Sequence, residues 1–357
     1  MIRDGTQKDS SRYFEYVRTH ELDVVLTRGN AMESYHRVHA AVVADSDKLL
    51  GEAGDPRAVT FWRSCAKPFQ IMPFIVSGGF DTLGWGDEEL AIACGSHGGE
   101  PEHVAIVEKM LSDLGLEEGD LACGPQEPLS QRGAKILRES GIRPTRTHNN
   151  CSGKHTAMLG FAQTGGWPIE GYERIEHPVQ QAILNHVALW ADMRPSQLEL
   201  AVDGCGVVVF GLPLDRMARA YARLGCAARR GEDVACRVVQ AMASFPFLVG
   251  GTDRFDSVLM EETGGRVISK IGAEGVHCAV VLDRAIGIAL KVEDGNSRAQ
   301  YPALLHLLQE LGALPDPLPQ RLAELLRKPL RNSRGEIIGE MTVVSRSGVH
   351  LATPALA

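Results

Sequence analysis

The chain has 357 residues, 44% hydrophobic and 23% charged, which fits a globular protein with a real core and excludes a disordered or fibrous chain. Its net charge of -8, with no concentrated basic run, argues against nucleic acid and anionic membranes as partners. No stretch reaches the ~18 uninterrupted apolar residues that span a bilayer, and MIRDGTQKDSSRYFEYV lacks the apolar centre of a signal peptide, so the expected location is the cytoplasm.

Residues 1–12 are polar and expected to be flexible. ELDVVLTRG and SYHRVHAAVVADSDKLLGEAG read as strands, rich in β-branched residues with turn signals between them. A helical stretch starts near Ser64 and runs through FQIMPFIVSGG, with Pro68 in its first turn and a kink at Pro73. Ser64 is then at or near the N-cap. DEELAIACGS and EPEHVAIVEKMLSDLG carry apolar residues at helical spacing. CSGKHTAMLGFAQ reads as a helix entered from the loop RPTRTHNN, and helices are also predicted over 174–193, 212–228 and 230–244. LELAVDG is a short strand. GRVISKIG, GVHCAVVLD and AIGIALKVED are late strands, the last two paired as a hairpin. SRAQYPALLHLLQELGAL and LPQRLAELLRK are helices, and IGEMTVVS is a last strand.

Strands at both ends and helices between them predict an α+β fold with one mainly antiparallel sheet and an inserted helical region. Residues 13–357 are read as a single unit, with an α/β part near 13–65 and 245–357 and a helical part near 66–244. Strands and helices do not alternate regularly, which argues against a doubly wound sheet. No G-x-G-x-x-G follows a strand and no Walker loop is present, so nucleotide binding has no support.

Ser64 and Lys67 stand three apart, a spacing that puts two side chains on one helix face. A serine hydroxyl is a weak nucleophile until a base removes its proton. Lysine serves only when neutral, and roughly one lysine in a few thousand is neutral at pH 7. Burial and a second cation nearby both lower its pKa, so a Ser-Lys site gains from two lysines. Alone, S-x-x-K reads as a helix start with a surface lysine. The penicillin-recognising enzymes add S-D-N and K-T-G downstream. Loose counterparts follow here in the same order: Ser96 in CGSHGGE, and Lys270 in SKIGAEG. Taken together, the three motifs favour a catalytic site.

The eight cysteines include no C-x-x-C pair, so neither a zinc ribbon nor a thioredoxin-type motif is present. Cys65, Cys94, Cys226, Cys236 and Cys278 lie in apolar or helical sequence and read as small core residues. Cys151, in HNNCSGKHTAMLG, and Cys205, in VDGCGVVVFG, lie instead in Gly- and Asn-rich turns that can face a cleft. Two thiolates suit Zn²⁺, which needs a third and fourth ligand. His148, Lys154, His155, Asp203 and a water are the nearby candidates, and spacing alone favours a histidine. A Cys151 nucleophile with a histidine base is the alternative.

FWRSCAKPFQ, CGSHGGEPEHV, HNNCSGKHTAMLG, VDGCGVVVFGLPL, FLVGGTDRFDS and KIGAEGVHCAVV together resemble the Rhizobium etli-type, or class 3, L-asparaginases, over nearly the whole chain from about residue 20. The resemblance implies a serine β-lactamase and glutaminase-like fold, a homodimer and hydrolysis of L-asparagine. It implies Ser64 as nucleophile with Lys67 as base, and Ser96 with Lys270 as a second Ser-Lys pair. It implies a zinc ion held by Cys151, Lys154 and Cys205 with a water, and supported by Arg63, Asp203 and His155. The rival readings are a non-catalytic zinc- and amino-acid-binding protein on the same fold and a glutaminase-type amidohydrolase.

Overall fold

Strand β2 (Ala31–Val43) ends in AAVV, and Ala40, Ala41, Val42 and Val43 are all buried. Successive side chains of a strand point to opposite faces, so this sheet is covered on both. In the computed structural model, which describes residues 22–345, the sheet is built from both ends of the chain. The segment expected to be flexible, 1–12, lies outside the described residues.

The strands are β1 (Leu22–Arg28), β2, β3 (Leu49–Ala53), β7 (Val267–Ile271), β8 (Val276–Val281), β9 (Ile286–Val292), β10 (Lys328–Arg331) and β11 (Ile337–Ser345). Their order is β10-β11-β1-β2-β9-β8-β7, with β3 on β2. Every pairing is antiparallel; Val24 lies opposite Val343, and Val42 opposite Ile288. On one face Val24, Val38, Val42 and Ile288 pack with Leu304 and Leu308 of the helix Gln300–Glu310. On the other, Ala41, Val43, Val280 and Ala289 pack with Met217, Tyr221 and Leu224 of the helix Leu214–Arg229. That helix crosses β9 closely: a Cβ on Gly287 would lie 1.9 Å from Ala218 O and 2.4 Å from Ala222 N.

The inserted region is helical, as the sequence predicts. Its centre is the helix Ser152–Thr164, in which every residue from Ser152 to Ala162 is buried. A helix buried along its whole length lies in a core, here among Asp87–Cys94, Pro101–Asp113 and Pro178–Trp190, and it carries Ser152, Lys154, His155 and Thr156 into that core. Among the described residues, no helix is long and apolar enough to cross a membrane.

A second sheet departs from the expectation of one. Strands β4 (Val59–Phe61), β5 (Glu199–Val202) and β6 (Val208–Pro213) pair antiparallel in the order β4-β6-β5. Only β5 is read from the sequence: β4 has three residues, and β6 is an apolar run running straight into a helix. The small sheet matters for the site. The turn carrying Ser64 leaves β4, and the turn carrying Cys205 joins β5 to β6.

Candidate active site

Trp62 ends the run of β4. Its N–H donates to Phe210 O of β6 at 2.8 Å, its ring stacks on Phe69 at 5.0 Å, and its Nε1 reaches Cys278 Sγ at 3.3 Å. The chain then makes a single 3-10 turn, Arg63–Ala66, followed by a short α-turn, Lys67–Gln70, with Pro68 inside it. Ser64 is thus inside a turn and does not cap a helix, contrary to the expectation. Arg63 has φ 52°, a left-handed conformation that disfavours a side chain and persists only where the surroundings impose it. Its Nε donates to Asp203 Oδ1 at 2.8 Å, across to the β5–β6 turn. The next residue is pinned as well: Cys65 Sγ donates to Lys270 O at 3.0 Å, and Tyr221 OH donates to Cys65 O at 2.8 Å.

The half-buried Ser64 lines a cleft of about 460 Å³ together with Arg63, Gln126, Asn150, Cys151, Cys205 and Ala273. Among the described residues its hydroxyl makes no hydrogen bond. Ser64 and Lys67 therefore share no hydrogen bond. Lys67 turns to Ser96 instead.

Lys67 and Lys270 are 1% and 0% exposed, and both reach the buried Ser96. Lys67 Nζ lies 3.2 Å from Ser96 Oγ and donates to Asn150 O at 3.1 Å and to Gly95 O. Lys270 Nζ donates to Ser96 Oγ at 2.8 Å and to Ile271 O at 3.0 Å. Burial pushes the Lys67 amine below its ordinary pKa; the Cys151 and Cys205 sulfurs oppose this and Lys154 adds to it. Burial pushes Lys270 down to about 8, against the pull of the Asp256 carboxylate and with the help of Lys67. The Ser96 loop is held by Ser96 N donating to Val249 O at 2.8 Å, so close that a Cβ on Gly95 would sit 2.8 Å from Leu248 O.

Beside the amines lie the two thiols. Lys154 Nζ is 3.3 Å from Cys205 Sγ, and Cys151 lines the same cleft as Cys205. Hydrogen bonding from Cys151, helped by the Lys154 charge, draws Cys205 down to about 5 despite burial. Cys151 is pushed up to about 12 by that interaction and by burial. Burial disfavours the Lys154 cation, but Cys205, Cys151 and Asp203 outweigh it and raise the amine above its ordinary range. Burial likewise opposes the Asp203 charge, and Lys154 and Arg63 overcome it. Among the described residues, no group of three His, Cys, Asp or Glu side chains is gathered for a metal.

The histidines favoured from spacing make other hydrogen bonds. His148 Nδ1 accepts from Thr145 N at 3.2 Å, in a 3-10 turn against a different groove. His155 is buried with Nδ1 2.7 Å from Tyr172 OH, and burial lowers it to about 3. Three contributors escape the sequence reading. Asn150 and Gly95 supply main-chain carbonyls to Lys67, which no residue-type pattern encodes. Asp256, 3.7 Å from Lys270, lies in FLVGGTDRFDS, where a lone aspartate at a helix start carries no signal of its own.

A family model described as L-asparaginase II matches residues 24–343. The chain belongs to the L-asparaginase II family. Family membership makes it an amidohydrolase acting on a small molecule. Among curated proteins, none matches this asparaginase-family chain. Solved structures that it resembles include a protein named Mglu, at 16% identity and a TM-score of 0.42, covering 78% of this chain and 67% of that one. A β-lactamase from Mycobacterium bovis matches at 14% identity and 0.37, covering 73% of this chain and 88% of that one. A candidate β-lactamase from Bacteroides dorei matches at 10% identity and 0.38, covering 80% and 91%.

Proposed function

We propose that this protein hydrolyses L-asparagine to L-aspartate and ammonia by Ser-Lys catalysis. The observation that carries this reading is the meeting of two buried amines at one hydroxyl, beside a cleft into which a second serine opens. A neutral amine has two donors and one lone pair. Lys67 already has two carbonyl acceptors, Gly95 O and Asn150 O, so as a free amine its lone pair is left for a hydroxyl.

Ser64 Oγ attacks the side-chain amide carbon and gives its proton to Lys67, directly or through Ser96. Catalytic hydrogen bonds are often loose without substrate, so a Ser64 hydroxyl with no fixed partner is suited to this turn. The tetrahedral oxyanion takes hydrogen bonds from backbone N–H groups near Ser64; losing one such donor typically costs ~3 kcal/mol of barrier. Lys67 then returns the proton to the amide nitrogen, which leaves as ammonia. The acyl group stays on Ser64 until a water, deprotonated by the same amine, releases aspartate.

Two thiols and an amine fit a zinc ion. The 3.3 Å between Lys154 Nζ and Cys205 Sγ is near the ~3.5 Å that separates a nitrogen and a sulfur ligand in a tetrahedral site. Cys151, Lys154 and Cys205 would hold the ion, Lys154 as the free amine. When bound, it would order the HNNCSGKH turn and supply a water able to hydrogen-bond the substrate's α-amino or α-carboxylate group. Arg63 and Asp203 hold the Cys205 turn against Ser64.

The test is ammonia release from asparagine and from glutamine, each with and without a chelator. Turnover of asparagine well above glutamine supports the reading. No ammonia from either substrate refutes it and leaves a binding protein.

A further inference from the structure

The Asp256 carboxylate lies beneath Lys270 and has no part in the steps above. It is 2% exposed, in the first turn of the helix Phe255–Glu262. Oδ1 accepts from Ser269 Oγ at 2.8 Å and faces His277 Nε2 at 3.2 Å. Oδ2 accepts from Ile271 N at 2.9 Å and lies 3.7 Å from Lys270 Nζ. The His277 ring is fixed in turn, edge-on to Phe255 and Tyr301. Burial opposes the Asp256 charge, but His277, Lys270 and the Ile271 N–H hold the carboxyl far below its ordinary range. Asp256 is thus a fixed anion held by its helix against the strand that carries Lys270.

An ammonium has three hydrogens. At Lys270 two go to Ser96 Oγ and Ile271 O, and the third faces Asp256. The groups whose charge reaches Lys270 include Asp256, Lys67 and the thiols of Cys65, Cys94, Cys151 and Cys278. Asp256 is the carboxylate among them. Two amines crowded at one hydroxyl repel each other when both are charged, and the Asp256 carboxylate opposes loss of the proton from the amine beside it.

We propose that Asp256 is a positioning residue of the reaction: it clamps Lys270 as the protonated donor to Ser96 Oγ. The proposal rests on the Ser-Lys reading above. With its oxygen receiving a hydrogen from Lys270, Ser96 aims its own at Lys67. Asp256 thereby assigns unlike roles to two lysines that look alike in the sequence.

The test is Asp256→Asn in the full chain, read as kcat and KM for asparagine from roughly pH 6 to 10, alongside thermal unfolding. The expected result is a fall in kcat of at least about tenfold with KM within about threefold, and an alkaline limb moved down by about one pH unit. A folded variant whose alkaline limb stays at the wild-type pH overturns the proposal, whatever its kcat. Should the variant not fold, the unmodified protein still decides. Carbon-13 labelling of lysine, with the Lys270 signal assigned by its loss in Lys270→Met, should show Lys270 charged at pH 7. A neutral Lys270 at that pH overturns the proposal. A wild type that releases no ammonia from asparagine sinks the substrate reading instead, and the lysine titration then decides this one alone.

Discussion

Lys67 and Lys270 reach one hydroxyl from separate elements, with Nζ 3.2 and 2.8 Å from Ser96 Oγ. Both amines are buried, and the Lys67 charge lowers the affinity of Lys270 for a proton. Lys67→Met and Lys67→Arg should therefore fail alike, although arginine preserves the charge. Arginine stays protonated at any working pH and cannot act as a base. General-base loss typically lowers kcat ~10²–10⁴-fold. If Lys67→Arg retains more than a tenth of wild-type kcat, Lys67 acts through its charge and the assignment of base is wrong.

Ser64→Ala should abolish turnover and leave the fold intact. The Ser64 hydroxyl makes no hydrogen bond among the described residues and faces the cleft, so its removal strands no buried partner. A change that breaks no contact typically shifts stability by about 0.5 kcal/mol or less. Denaturant unfolding with a matched ammonia assay separates the two effects. Residual activity near that of wild type would move the nucleophile elsewhere.

Much of this arrangement is legible in the sequence, and the exceptions share a cause. The β-branched runs of β1, β2, β8 and β9 announce a sheet because strand chemistry is local. CGSHGGE and HNNCSGKH, with Cys205 between two glycines, announce turns because only small residues allow such close backbone approach. The partner of Lys67 is not legible in the same way. Spacing points it at Ser64, three residues away, whereas the partners it finds are Gly95 O, Ser96 and Asn150 O, 28, 29 and 83 residues away. Such contacts are decided by how β4 delivers its turn to β6, and β4 is too short to show a period. Asp256 escapes for a like reason: its meaning lies wholly in being under β7.

Removing the metal should raise KM more than it lowers kcat. Two thiolates largely neutralise a zinc charge, which weakens it as a Lewis acid and leaves it to position substrate. Cys151→Ala should lose zinc, read by elemental analysis of the purified protein. Chelated protein with a collapsed kcat and an unchanged KM would show that the ion takes part in the chemistry.

The packing of the helix Leu214–Arg229 on the sheet depends on the absence of a side chain at Gly287. A methyl group there would press on the helix backbone, at Ala218 O and Ala222 N, which no rotamer change relieves. Overpacking of a core typically costs 1–3 kcal/mol and more where backbone must move, so Gly287→Ala should lose about 3 kcal/mol by urea unfolding. A loss below about 1 kcal/mol would mean that the helix slides freely on β9.

Glu100 supplies a test of the site's scaffold through pH. It closes the CGSHGGE loop, its side chain is 0% exposed, and it ties the Ser96 loop to the segment leading to Asp256. Oε1 accepts from Thr252 N at 2.7 Å, while Oε2 accepts from Thr252 Oγ1 at 2.7 Å and from Arg132 at 2.6 Å. Burial opposes the charge, and Arg132 and Thr252 outweigh it, so the carboxyl is held below its ordinary 4.5. On acidification the unfolded chain therefore takes up this proton before the folded one. The stabilisation is complete above the unfolded pKa and drains away as pH falls through the folded value. Glu100→Gln keeps the shape without the charge and should cost about 2–3 kcal/mol at pH 7. Because glutamine does not titrate, the gap between wild type and variant must close as pH drops below about 4.5. Urea unfolding of both proteins at neutral and acidic pH measures it. A gap that holds constant, or widens in acid, would show that Glu100 enters the fold already protonated and that the loop is held by shape rather than charge.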